Sequence, residues 1–213
     1  MDKNQAWQII HQERVALADL LETLTPDEWE HPSLCEGWTV RDVAAHVISA
    51  PEATVGQIAA AVLRARGSFD RANHDYARRV SRRPTEAIVA DYRRLAGSRR
   101  CAPGTTYMEA LVDVLVHTQD IAIPLGKRHE MPREAARASA ERYRGRSFPF
   151  NARKRLRGYR LEATDVDWSS GEGALLRGPI AALLMLITGR PAALAELSGD
   201  GVPALRRQLE VTR

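Results

Sequence analysis

Residues 111–126, LVDVLVHTQDIAIPLG, constrain the fold more than any other stretch. Leu111, Val112, Val114, Leu115, Val116 and Ile121 make the segment apolar nearly all round. A helix of that composition belongs at the centre of a bundle. Yet Asp113, His117 and Asp120 interrupt it at spacings of four and three, with Glu109 one turn earlier. At 3.6 residues per turn these four form one polar stripe on an otherwise apolar helix. Burying a carboxylate or imidazole without a partner is costly, so the stripe must meet partners inside the protein. Two readings stay open on spacing alone. Asp113 and His117 can be a helical ion pair, worth a few tenths of a kcal/mol. They can also share a cation with a ligand from a facing helix, a standard way to build a metal site in a bundle. Catalytic zinc is typically held by three protein ligands with a fourth position open.

The stretch RDVAAHV (41–47) offers the third ligand. His46 lies among Val43, Ala44, Ala45 and Val47, a setting equally compatible with a histidine satisfied in the core. Asp42, one turn before His46, can accept the hydrogen bond of its non-ligating nitrogen, and Asp120 can do the same for His117.

The elements around these stripes are mostly helical. Apolar spacing predicts a helix over 5–24, and TPDEW carries a capping box of Thr25 and Glu28 with Pro26 at the first helical position. Thr39, with Asp42 three residues on, starts a second helix that Pro51 kinks before it continues to about 65. Residues 66–83 are polar and arginine-rich and show no clear period. A further helix is expected over 85–95, and Thr106 with Glu109 caps the central one. After about residue 150 the pattern changes. GYRLEATDVDWS and GEGALLRGP read as two strands, GPIAALLMLI as a helix broken at Gly189, and a further helix follows Pro191. The expected plan is mainly α: a four-helix bundle over 1–128, a connecting helix and basic linker over 129–157, and a small α+β domain over 158–213.

Composition excludes several classes. Two cysteines in 213 residues, Cys35 and Cys101, form neither a disulfide framework nor a CxxC pair. With no signal-peptide pattern at the N-terminus, a cytoplasmic protein is expected. The longest apolar run, 180–187, is far below the roughly 20 residues that span a bilayer. The net charge is +4, and arginines concentrate in RYRGRSFPFNARKRLRGYR (142–160). No helix-turn-helix, zinc-finger or RNP pattern accompanies them, so they read as a solvated surface or linker rather than a nucleic-acid interface.

Five stretches, in order and at similar spacing, carry a resemblance: SLCEGWTVRDVAAHV, VDVLVHTQDIAIPLG, LEATDVDWSSGEG, GPIAALLMLITGR and LSGDGV. Together they resemble the mycothiol-dependent maleylpyruvate isomerase family over nearly the whole chain, with a DinB-like N-terminal bundle. The resemblance implies a divalent metal, usually zinc, on His46, Asp113 and His117. The isomerase has glutamate at the acid position, and Asp113 is one methylene shorter. It also implies an arginine from the C-terminal unit facing the site; Arg190 is the best match and Arg177 the second. The thiol cosubstrate would be mycothiol, with a small electrophile as substrate. A neutral thiol is deprotonated when it coordinates such a metal, and the thiolate then adds to an unsaturated acid, either leaving after the bond rotates or staying on the product. Arg190 would hold the substrate carboxylate. On the same scaffold, a metal-dependent hydrolase that activates water, or a non-catalytic binding module, is the rival reading. Cys35 reads as a small buried apolar side chain, and Trp38 as a cleft wall or loop anchor. Trp168 reads as packing, while His11, His31, His74 and His129 carry no role.

Overall fold

The computed structural model describes residues 1–211 and, within them, all side chains except those at 69, 70, 73 and 211. The chain divides into two units, one of residues 2–130 and one built from residue 131 onward.

Helices α1 (Lys3–Glu22), α2 (Pro26–Trp29), α3 (Val40–Ser49), α4 (Val55–Arg64), α5 (Phe69–Val80), α6 (Thr85–Leu95) and α7 (Tyr107–Ala122) make the first unit. Four of them form the bundle: α1 and α3 each pack on both α6 and α7. Their facing stripes supply Ile10, Leu17 and Leu21 from α1, Val43, Val47 and Ile48 from α3, Ile88 and Tyr92 from α6, and Leu111, Leu115 and Ile121 from α7, all at most 2% exposed. The Tyr92 hydroxyl donates to the Ala44 carbonyl at 2.9 Å and ties α6 to α3.

The predicted caps fix where these helices begin. Thr25 with Glu28, Thr39 with Asp42, and Thr106 with Glu109 each form a reciprocal capping box, which satisfies amides that a helix start otherwise leaves without partners. The helix expected to run from 40 to about 65 is two helices. A 3-10 turn at Ala50–Glu52 and extended residues Ala53 and Thr54 part them, and Thr54 caps the second. Residues 66–83, left unassigned above, contain α5. It packs on α3 and α4, with Ala72 and Ala77 buried. Ala72, Tyr76, Ala77 and Val80 share one helical face, a spacing that the charged residues between them obscure.

A charge network braces α6. Asp91 accepts from Arg83 and, at 2.7 Å, from Arg94, whose guanidinium also pairs with Glu52 beyond α3. Burial alone would raise the Asp91 pKa, but the hydrogen bonds from Arg94 and Arg83 outweigh it and hold the carboxyl below its ordinary 3.8. A depressed folded pKa adds stability above the unfolded value, and that stability is lost as pH falls through the folded one. Asp91→Asn should therefore cost about 1 kcal/mol at pH 7, with the gap to wild type closing below pH 4 in urea titrations. A gap of equal size at pH 7 and pH 3 would remove the carboxylate from this account.

The second unit holds α8 (Arg133–Arg144), α9 (Ala152–Arg155), β1 (Tyr159–Ala163), β2 (Ser169–Ser170), β3 (Ala174–Gly178), α10 (Ile180–Ile187) and α11 (Val202–Val211). The sheet order is β2-β1-β3, with β1 antiparallel to β2 and parallel to β3. The stretch read as one strand over 158–169 is thus β1, a turn and β2. After Pro191 the chain forms a 3-10 segment, Pro191–Glu196. In LSGDGV, Gly199 has φ +112°, and a Cβ there would lie 2.2 Å from the Leu175 carbonyl oxygen. Only glycine fits so close an approach, and the neighbouring Asp200 accepts the Leu175 amide at 2.6 Å.

The segment 129–157, expected as a connecting helix and basic linker, holds α8 and α9. Helix α8 packs on α10, because Ala135, Ala136, Ser139, Ala140 and Tyr143 form a buried face. Two of its arginines turn inward rather than to solvent. Arg144 donates to the carbonyls of Leu156 and Tyr159, both at 3.0 Å. Arg155 donates to Phe150, Leu186 and Ile187. Among the described residues, no helix is long and apolar enough to cross a membrane.

Candidate metal centre

Helices α3 and α7 lie side by side in the bundle and bring three predicted residues together. His46 Nε2 stands 3.6 Å from Asp113 Oδ1, and His117 Nε2 stands 3.5 Å from the same oxygen. One donor atom from each of the three residues lies within 4.8 Å of the others. The two nitrogen–oxygen distances are too long for good hydrogen bonds. They are close to the separation of about 3.3–3.4 Å between ligands that sit 2.0–2.1 Å from one tetrahedral zinc. The shorter aspartate at 113 reaches both nitrogens. Two imidazoles and a carboxylate are also the donor types that borderline divalent cations take, so these residues fit a metal.

The ring of His117 is fixed from behind. Its Nδ1 donates to Asp120 Oδ2 at 2.8 Å, and Asp120 is fully buried. That contact holds a proton on Nδ1 and turns Nε2 toward Asp113, so Nε2 is the nitrogen that would lose its proton on binding a cation. Cys35 adds a second donor: its thiol stands 3.1 Å from the same Asp120 oxygen and 3.7 Å from His117 Nδ1. Burial works against a charged imidazole here, but the bonds to Asp120 and Cys35 and the charge of Asp113 outweigh it, and His117 is pushed up to about 10. Burial likewise opposes the charge on Asp113, yet His46, His117 and then Arg14 hold its carboxyl below the usual range.

Asp42 does not orient His46. Its carboxylate accepts from the Thr39 amide and hydroxyl and from the Ser81 hydroxyl at 2.5 Å. A residue at the third position of a capping box points back to the cap, away from the following turn, which is why it cannot also serve His46. His46 Nδ1 is buried with no hydrogen-bond partner. Aromatic rings surround His46 instead: Trp38 at 5.1 Å and His117 at 5.3 Å between centroids, both edge to face. Arg190 follows α10 and donates to the Thr188 carbonyl at 2.6 Å. Arg177 lies on β3 and pairs with Glu162.

Four residues near the bundle core were missed from the sequence. Cys35 is a donor, not an apolar filler. His74 accepts the Trp38 indole N–H at 2.8 Å. Arg14, 3% exposed, donates to the carbonyls of Leu95 and Ser98. His129 pairs with buried Glu13 at 2.8 Å. Arg14 did leave a signal: it falls four residues after Ile10 and three before Leu17, in phase with the buried stripe of α1.

A four-helix bundle with a histidine–aspartate–histidine cluster on two adjacent helices, followed by a small α+β unit, defines the class. The chain belongs to the family of the mycothiol maleylpyruvate isomerase N-terminal domain, whose model matches residues 10–122. Two solved structures share its fold, that of the mycothiol-dependent maleylpyruvate isomerase and that of a histidine-to-alanine mutant of it. Each is 15% identical, with a TM-score of 0.65 and coverage of 94% of this chain and 93% of the other. No curated protein matches the sequence.

Proposed function

We propose that the chain is a metal-dependent enzyme that uses a low-molecular-weight thiol, mycothiol in the family's case, to isomerise or conjugate a small electrophilic acid. One observation carries this reading: His46, Asp113 and His117 hold their donor atoms at ligand spacing around one point. A divalent cation held there supplies thiolate from a neutral thiol at neutral pH. The chain's own part is to aim Nε2 of both imidazoles at one point, keep Asp113 ionised, and hold the His117 Nδ1 proton on Asp120, so that Nε2 would be the nitrogen deprotonated for a cation. The thiolate sulfur forms a bond to one carbon of the substrate's double bond. The electron pair moves to the neighbouring carbon, next to the acid or keto group. Rotation about what is now a single bond and loss of the thiolate gives the isomer. Protonation in place of loss gives the conjugate. Arg190 is our candidate for binding the substrate carboxylate through paired N–H donors.

Purified protein should carry about one divalent metal per chain by mass spectrometry. Its melting temperature should rise with zinc and rise further when mycothiol is added, because ligands that bind only the folded state stabilise it. Turnover of an ester or amide without thiol would favour the hydrolase. Metal-free protein that converts substrate at the full rate would refute both.

A further inference from the structure

His117 and His46 are held in different ways. His117 has the usual arrangement, a carboxylate on the nitrogen away from the ligand position. His46 has no such partner, since Nδ1 is buried and unpaired and Asp42 is engaged elsewhere. Without a hydrogen bond, only packing can stop the ring from turning about its last torsion, which has broad, weakly preferred wells.

The packing comes from the loop 31–39. Its ends are pinned together by the Pro32–Thr39 bridge and by the Val40 amide on the His31 carbonyl at 2.9 Å. Inside it, the Ser33 amide and hydroxyl both donate to the Trp38 carbonyl at 2.9 Å, and the Trp38 amide donates to Cys35. The Leu34 amide donates to the Asp120 carbonyl on α7. The backbone at Trp38 is therefore tied to the loop and through it to α7. The indole is fixed at its other end by His74 on α5, whose Nδ1 accepts the Nε1–H. Gly37, at φ +75°, lies against the same imidazole, 3.5 Å from a Cβ built there.

We propose that His74 is a positioning residue for the metal centre: it anchors Trp38, and the anchored indole sets the orientation of the His46 ring. The proposal rests on the reading of His46, Asp113 and His117 as metal ligands. In this role His74 is not itself a ligand, and its Nδ1 serves as the acceptor of the Trp38 N–H. Removing that acceptor frees the indole to tilt, and His46 with it. This differs from a purely structural role, in which His74 would only stiffen the bundle.

The test is zinc affinity by competition with a chromophoric chelator, with the visible spectrum of the cobalt-loaded protein and the melting temperature of the metal-free protein alongside. His74→Ala and Trp38→Phe should each weaken zinc binding about tenfold, the low end of what loss of an outer partner costs a metal site. Both should alter the cobalt bands. His74→Asn, whose amide oxygen can take the place of Nδ1, should restore binding to within about threefold of wild type on the same scale. A His74→Ala protein with wild-type affinity and cobalt spectrum overturns the proposal alone. So does an affinity that follows only the metal-free melting temperature across the three variants. Wild-type protein that binds neither zinc nor cobalt overturns the metal reading itself, and this proposal with it.

Discussion

His117→Asn is expected to abolish tight metal binding and thiol-dependent turnover while leaving a folded protein. The choice of asparagine matters. Its amide nitrogen falls where Nδ1 stood, so the donor to Asp120 is kept and a fully buried carboxylate is not stripped of that bond. What disappears is Nε2, the atom 3.5 Å from Asp113 Oδ1. Loss of an outer partner such as Asp120 costs a metal site about 10–100-fold in affinity, and loss of a ligand must exceed that, because only two protein donors remain. His117→Ala removes both functions at once. It should melt below His117→Asn, since a buried acceptor left with one donor fewer costs about 1–3 kcal/mol. The measurements are zinc content after gel filtration, chelator competition and the rate with mycothiol present. Full metal content in His117→Asn would remove His117 from the ligand set.

The parts of this site that were legible in the sequence are those written within one helix. Asp113, His117 and Asp120 share a face of α7 because of a fixed period, so the pairing of His117 with Asp120 could be anticipated from spacing. The capping boxes were legible for the same reason: each is closed between residues three apart. His46 could be offered as a third ligand from its apolar setting on an earlier helix, but spacing alone left it equally a core histidine, and the family resemblance favoured the ligand. Asp42 shows the limit of local reasoning. One carboxylate was given two partners, and the nearer, the cap at Thr39, takes it. Cys35 and His74 depend on a loop folding back on α7 and on α5 meeting that loop. Neither has a period or a fixed offset that could be read in advance. Helix α5 was hidden by its charge: Ala72, Tyr76, Ala77 and Val80 do recur at helical spacing, but the charged residues between them make the segment polar enough to pass for a loop. In the arginine run of 142–160, Arg146, Arg153, Arg157 and Arg160 are exposed as expected, while Arg144 and Arg155 turn inward. A charge run usually lies in water, but an arginine can also bury its stem and spend its N–H groups on carbonyls.

Arg155 carries the largest stability prediction for the second unit. Its guanidinium donates to the carbonyls of Leu186 at 2.6 Å and Ile187 at 3.2 Å, the last two residues of α10, and to Phe150 at 2.9 Å. The final carbonyls of a helix have no partner within it, and a cation there also meets the negative end of the helix dipole. Helix α10 is buried almost throughout, so water is a poor substitute. Burial, and after it the charge of Arg190, pushes the Arg155 pKa below its ordinary value, though an arginine remains protonated at neutral pH. Arg155→Met keeps most of the stem and removes all three bonds. A hydrogen bond to a charged group contributes about 1.5–3 kcal/mol net. Removing one guanidinium that serves three carbonyls is not additive, because they partly resolvate, so a loss of about 3 kcal/mol is expected in urea titration. Arg155→Lys should recover only part of it, because one ammonium cannot span carbonyls on both sides of the planar fork. The zinc affinity of the bundle should stay at the wild-type value in both variants. A methionine variant within about 0.5 kcal/mol of wild type, the range of an ordinary surface change, would mean that these carbonyls find other donors.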